Sequence, residues 1–150
     1  MNARRPALPA GVALLTVLLA LLVLPACSRS EEAASSTYEP AAVKEIKGSD
    51  VSQVSFTRRG ASLVDLRTAT VQALGTDVGI PYAALIYDGQ GASWVYTATK
   101  PLTFVRVPVT VAEVDGQQVR LSAGLEPGTQ VVTVGATEVY GAELGIAGGH

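Results

Sequence analysis

The sequence predicts an all-β domain: a small antiparallel β-sandwich or barrel of about seven strands with one or two short helical turns, preceded by a signal helix and a flexible tether. Three observations predict it. From Val51 onward the chain breaks into short apolar runs rich in Val and Thr, the composition of half-buried strands. The best of these runs alternates with period 2, so one face is apolar. Gly- and Pro-bearing turn signals recur about every 8–12 residues, the spacing of a small sandwich or barrel.

Composition sets the limits. The 150 residues are 48% hydrophobic and only 16% charged, and the apolar excess concentrates in the first 26 residues. That length suits one domain with a core large enough to fold unaided. The formal charge is −2, and losing Arg4 and Arg5 with a cleaved leader takes it to −4. A mildly acidic chain without a basic patch does not suit nucleic acid, whose phosphates demand clustered Lys and Arg. A single Cys excludes a disulfide framework, and one Cys with one His excludes a zinc site built on those residues.

The leader, residues 1–26, has a charged start (Arg4, Arg5), an almost wholly apolar stretch over residues 11–24, and small residues at its end. A membrane-spanning helix needs roughly 20 apolar residues, and this run is shorter. The pattern is that of a secretory signal peptide. Its expected cleavage site coincides with the only Cys: Leu24-Pro25-Ala26-Cys27 resembles the lipobox of bacterial lipoproteins. The resemblance implies that the Cys27 thiol takes a diacylglyceryl group and that cleavage makes Cys27 the lipidated first residue of the mature chain. A multi-chain acyl anchor holds a protein stably, because each buried CH₂ contributes ~0.8 kcal/mol. The competing readings are an ordinary signal peptide with a chance Cys and an uncleaved signal anchor. Arg4-Arg5 lacks the flanking residues of a full twin-arginine motif, so the general secretory route is expected.

Residues 27–50 are expected to be the lipidated Cys and a flexible tether. The segment is rich in Ser, Ala and Glu, holds Pro40 and Gly48, and shows no sustained apolar period. Such a segment buries too little surface to offset chain entropy.

The β domain is expected over residues 51–143. Residues 53–57 and 68–74 read as strands, and residues 58–66 between them as a helical turn or two with Leu63 and Leu66 inward. Residues 80–87 form a nearly continuous apolar run that ends at the turn Asp88-Gly89-Gln90-Gly91, after which residues 93–97 resume with Trp94 and Tyr96 on one face. Over residues 102–111, Val105, Val107, Val109 and Val111 share a face expected to be the core side. Pro108 cannot donate a ladder hydrogen bond, which predicts an edge strand or a bulge. Asp115-Gly116 suits a type I′ hairpin turn, with Val119 and Leu121 alternating on the return. Pro127-Gly128 fits a type II turn that launches residues 130–134. A short helix after Gly135 and a disordered tail over residues 144–150 complete the expectation.

Catalytic chemistry is hard to assemble from these residues, and no enzyme, cofactor or metal is expected. Nucleophilic catalysis wants a Ser or Cys beside a base. The sole His, His150, is terminal behind two glycines, and Cys27 is consumed by the anchor. Among the carboxylates Asp65, Asp77, Asp88, Glu113, Asp115 and Glu126, a paired acid–base arrangement is formally open, but Asp88 and Asp115 are explained by turns and the others are scattered. Gly89-Gln90-Gly91 lacks the third Gly and the following helix of a dinucleotide loop. Trp94, Tyr82, Tyr87 and Tyr96 read more readily as packing than as a contact surface. Arg58-Arg59 reads as a solvated turn rather than an anion site.

One resemblance spans roughly residues 51–143. Ile80-Pro81-Tyr82-Ala83-Ala84-Leu85-Ile86-Tyr87-Asp88, a Gly-containing turn, and Trp94-Val95-Tyr96-Thr97 resemble the closing segment of membrane fusion proteins, the periplasmic adaptor subunits of RND-type efflux pumps. The similarity runs on through Pro101-Leu102-Thr103-Phe104-Val105-Arg106 and Val109-Thr110-Val111. It resumes at Leu121-Ser122-Ala123-Gly124-Leu125-Glu126-Pro127-Gly128-Thr129-Gln130-Val131-Val132 and ends at Val134-Gly135-Ala136. In full adaptors the membrane-proximal domain is built from both ends of the chain, around inserted barrel, lipoyl-like and helical-hairpin domains. Here Leu74 reaches Ile80 through Gly75-Thr76-Asp77-Val78-Gly79, with no room for an insertion. The resemblance therefore implies a contiguous membrane-proximal domain on a lipid anchor, extracytoplasmic, docking a transporter or envelope protein; it transfers no contact residue. The alternatives are a lipoprotein binding a small ligand or cell-wall component in a β-sandwich cleft, and a folded remnant without a partner.

Overall fold

A computed structural model describes residues 38–146. The signal peptide with Leu24, Pro25 and Ala26, residues 27–37 of the expected tether with Cys27, and residues 147–150 with His150 lie outside the described residues.

The domain is mostly β. Two antiparallel sheets, of seven and four strands, carry two short helices. In chain order the elements are β1 (Ala41–Glu45), β2 (Ser52–Phe56), α1 (Arg58–Leu63), β3 (Arg67–Thr70), β4 (Gln72–Leu74), β5 (Asp77–Pro81), a 3-10 turn (Tyr82–Ala84), β6 (Ile86–Tyr87), β7 (Ser93–Lys100), β8 (Thr103–Pro108), β9 (Thr110–Asp115), β10 (Gln118–Ala123), β11 (Gln130–Val134) and α2 (Ala136–Glu143). The first sheet runs β1-β2-β8-β7-β11-β3, with β6 also on β7; the second runs β4-β5-β10-β9.

The central strands of the first sheet are buried on both faces, and neighbouring residues serve different cores. Tyr96 and Val132 face one core with Val54, Phe56, Phe104 and the helical residues Ala61, Ala136, Val139 and Ala142. Val95 and Val131 face the other, with Val78 and Ile80 of β5 and Val119 and Leu121 of β10. The layers are thus helices, sheet, sheet. Period-2 alternation on β7 and β11 serves two interfaces at once.

Val71 and the Pro108-Val109 pair are the corners where the chain changes sheet. Residues 68–74 are not one strand: β3 belongs to the first sheet and β4 to the second. Between them Val71 N–H donates to Thr129 O (2.8 Å) and its carbonyl accepts the Gly128 N–H (2.9 Å), while its side chain enters the second core. Pro108 ends β8 rather than marking an edge, since β8 lies between β2 and β7. With no N–H to give, it is a natural place for a ladder to stop. Val109 N–H then bonds Ser93 O at 2.9 Å as β9 departs. Gly124 (φ +112°) packs under this corner, where a Cβ would come within 2.5 Å of the Pro108 carbonyl.

This corner also corrects the expected core face. Val107, Val109 and Val111 pack with the second core, but at the start of β8 it is Phe104, on the opposite face, that is fully buried. Phe104 meets Phe56 edge to face at 6.5 Å between centroids.

Three further expectations are revised. The expected tether contains β1, which pairs in register with β2 so that Ala41 lies opposite Phe56 and Val43 opposite Val54. The edge of β2 needs a partner, and two small apolar residues on alternate positions suffice to provide one. Leu63 is not inward but 68% exposed, because the six-residue α1 turns Gly60 and Ala61 inward and Leu63 ends it on the solvent side. The β9–β10 hairpin turns at Gly116-Gln117, one residue later than expected. Only Gly116 has positive φ there (+57°), which suits a type II′ turn, whereas type I′ needs positive φ at both positions.

The type II turn at Pro127-Gly128 forms as expected, with Gly128 at φ +88° and Thr129 N–H bonding Glu126 O at 3.2 Å. Residues 144–146 cap α2: Gly145 (φ +71°) ends the helix, and Ile146 N–H bonds Gly141 O at 2.9 Å, a Schellman cap.

Candidate functional site

The densest polar cluster lies beneath α2, on the helix-covered face of the first sheet. Register places it there. Tyr96 on β7 sits opposite Arg106 on β8, and Trp94 opposite Pro108, so Trp94, Tyr96 and Arg106 share one face. Glu143 closes the last turn of α2 over them, seven residues after Ala136 on the same buried stripe.

Glu143 and Arg106 are both nearly enclosed, with side chains 4% and 10% exposed. Arg106 Nη2 donates to Glu143 Oε1 at 3.3 Å, and its Nε lies 3.2 Å from Oε2. That Nε contact is an ion pair without hydrogen-bond alignment. The same carboxylate accepts the Tyr96 hydroxyl and the Ser52 N–H, the latter at 3.0 Å. Arg106 also lies over the Trp94 ring (4.3 Å to the centroid) and the Tyr140 ring (5.3 Å), favourable positions for a cation against an aromatic quadrupole. Burial, reinforced by the bond to Glu143, holds the Tyr96 hydroxyl far above the ordinary tyrosine range.

The network continues to the β6–β7 turn. Trp94 Nε1 donates to Asp88 Oδ2 at 2.8 Å, while Asp88 Oδ1 accepts the N–H groups of Gln90 and Ala92, each at 2.9 Å. The indole donation leads in holding the Asp88 carboxyl below the usual range, with the two backbone N–H groups and the Arg106 charge adding to it.

Both Glu143 oxygens are engaged by donors, and burial favours the protonated form of Tyr96. The cluster is therefore a clamp: it ties α2 to β2, β7 and β8.

The other carboxylates weighed in the sequence do not converge with it. Asp65 pairs with Arg67 at 2.7 Å, and Glu113 pairs with Arg120. Asp77 opens β5, Asp115 ends β9, and Glu126 begins the turn before β11. Among the described residues, no group of three His, Cys, Asp or Glu side chains is placed to hold a metal ion. Of the aromatic set, Tyr96 is fully buried and Trp94 partly so, leaving Tyr82 and Tyr87 exposed. At the opposite end of the clamp's sheet face lies an open groove of about 440 Å³, lined by Leu66, Thr68, Lys100, Leu102, Phe104 and Gln130 among others. Leu102 there has positive φ (+56°), and its carbonyl accepts the Phe56 N–H at 2.8 Å.

Among the described residues, no helix is long and apolar enough to cross a membrane. No family model matches the chain, and no curated protein is significantly similar to it.

Proposed function

We propose that the chain is an extracytoplasmic lipoprotein, anchored through Cys27, whose β domain resembles the membrane-proximal domain of efflux adaptors and serves as a non-catalytic docking module for a transport or envelope protein. The observation that carries this reading is the order and spacing of the adaptor-like segments. They fall on successive elements: the Ile80–Asp88 segment on β5, the 3-10 turn and β6; the Trp94 and Phe104 segments on β7 and β8; and the Leu121–Val132 segment on β10 and β11. The clamp supports it from another side, since the densest polar cluster is committed to holding α2 in place.

Tethering is the mechanism. An anchored domain is confined to a surface, which raises its effective concentration toward membrane partners. Crosslinking of the membrane-anchored chain in its own cells, followed by affinity capture, is expected to enrich a transporter or envelope component. Capture that enriches neither, from a chain that is demonstrably anchored, would overturn the docking role.

A second reading rests on the groove beside Leu102 and Phe104: occupancy by a small ligand or cell-wall fragment. It predicts that the purified chain gains thermal stability with such a ligand and no protein present, whereas docking predicts a gain only with the partner.

A further inference from the structure

We infer that the end of the first sheet where the chain enters the domain faces the bilayer and takes anionic phospholipid headgroups. This rests on the lipid-anchor reading, since it concerns what an anchored domain touches.

The incoming chain is pinned at this end. The Tyr38 hydroxyl bonds Thr57 Oγ1 at 2.7 Å, and Thr57 N–H donates to Pro40 O at 3.0 Å. Thr57 caps α1, so residues 38–40 lie against its first turn, where Arg58 and Arg59 are both exposed. The Arg59 guanidinium lies 4.8 Å over the Tyr38 ring. The bond from Phe56 N–H to Leu102 O brings the β7–β8 turn alongside, with exposed Lys100 and Pro101. Three cations therefore share one end with an exposed tyrosine and an apolar turn.

Among the described residues these cations have no carboxylate partner. Among the described residues the ion-paired arginines are Arg67, Arg106 and Arg120, and none of Arg58, Arg59 and Lys100 has a carboxylate in ion-pair reach. Glu39 flanks this end, and Glu126 sits at its far corner toward β3. The connection from β1 to β2 at the opposite end carries Asp50 beside Lys47. Unpaired cations attract an anionic leaflet within about 8–10 Å, a Debye length. Tyrosine suits the headgroup level because its ring is apolar and its hydroxyl is wet. Covalent reach adds a second argument. Tyr38 lies only eleven positions after Cys27, a span of at most about 36–40 Å. The two ends of β7, Ser93 and Lys100, are seven residues apart, about 23 Å at strand rise. Both ends are within that reach, and the Arg58, Arg59 and Lys100 end is the one at which the chain from Cys27 arrives.

The test uses the purified lipidated chain in vesicles, with a polarity-sensitive dye on a single introduced cysteine, Thr99→Cys at this end or Gln90→Cys at the other. Both residues are exposed. On phosphatidylcholine vesicles containing about one-third phosphatidylglycerol, the Thr99→Cys dye is expected to shift to the blue while the Gln90→Cys dye does not. Phosphatidylcholine alone, high salt, or the triple change Arg58→Glu, Arg59→Glu and Lys100→Glu should abolish most of that shift, with circular dichroism confirming an intact fold. Equal response at both positions, or indifference to lipid charge, on a chain whose intact mass carries acyl groups would overturn the inference and leave the anchor standing. A chain without acyl mass would overturn the anchor and this inference together.

Discussion

The Glu143 carboxylate at the end of α2 receives the backbone N–H of Ser52 at 3.0 Å, joining the two ends of the β domain across 91 positions. The same carboxylate holds Arg106 and Tyr96, so the helix, β2, β7 and β8 meet on one side chain. A nearly enclosed charge pair of this kind is costly to break from one side. Removing one partner leaves the other buried and uncompensated.

Glu143→Ala is therefore expected to cost about 3–5 kcal/mol in urea unfolding. Replacing the pair together, with Arg106→Met and Glu143→Leu, should recover much of that loss. A single variant within about 0.5 kcal/mol of wild type, the range of an ordinary surface change, would show that the clamp contributes little.

Tyr96 gives the clamp an alkaline signature. Its folded-state value is raised above the ordinary 10.0, chiefly by burial. The unfolded chain therefore loses this proton first. The contribution is complete below pH 10 and declines as pH rises above it, by up to about 1.4 kcal/mol per pH unit for one proton. Unfolding measured between pH 8 and 11 should show the decline, and Tyr96→Phe should flatten it. An unchanged slope in Tyr96→Phe would assign the decline to other groups.

Asp88 gives an acid signature with a built-in reporter, because Trp94 is the only tryptophan. The folded-state value of Asp88 lies below 3.8, first because of the Trp94 indole donation. Its contribution is present above the unfolded value and fades as pH falls through the folded one. Trp94 emission should therefore titrate with a midpoint below the ordinary 3.8 while the fold persists. Asp88→Asn should remove that titration; emission titrating identically in Asp88→Asn would contradict the assignment.

Gly60 offers a reversal of sign. A helical Gly→Ala change usually stabilises by up to about 1 kcal/mol. At Gly60 a Cβ would stand 2.2 Å from the Pro40 carbonyl oxygen, which belongs to the backbone leading into β1. Gly60→Ala should therefore destabilise by about 1–3 kcal/mol, the cost of overpacking. Hydrogen exchange should rise first in β1. A stabilised Gly60→Ala with protected β1 amides would place Pro40 elsewhere.

Much of the β architecture was legible because its signals are local. Pro127-Gly128 and the Asp88 turn carry their chemistry in adjacent residues, and both turns form. The sheet changes were not legible, since Val71 and Val109 look like ordinary strand valines and only their long-range partners, Thr129 and Ser93, mark them as corners. β1 escaped because an edge strand buries one face at most, and the alternation of Ala41 and Val43 is too weak against Lys and Glu neighbours. The clamp left one overlooked signal. Ala136, Val139, Ala142 and Glu143 follow helical spacing, so Glu143 falls on the buried stripe and requires a buried cation. Which cation it takes depends on the β7–β8 register that puts Arg106 opposite Tyr96.

The most direct test of the central claim is the intact mass and membrane fractionation of wild type against Cys27→Ala. Lipidation at Cys27 requires a mature wild-type chain that begins at Cys27, carries added acyl mass and sediments with membranes, with both properties lost in Cys27→Ala. A wild-type chain without acyl mass, recovered in the soluble fraction, would contradict it.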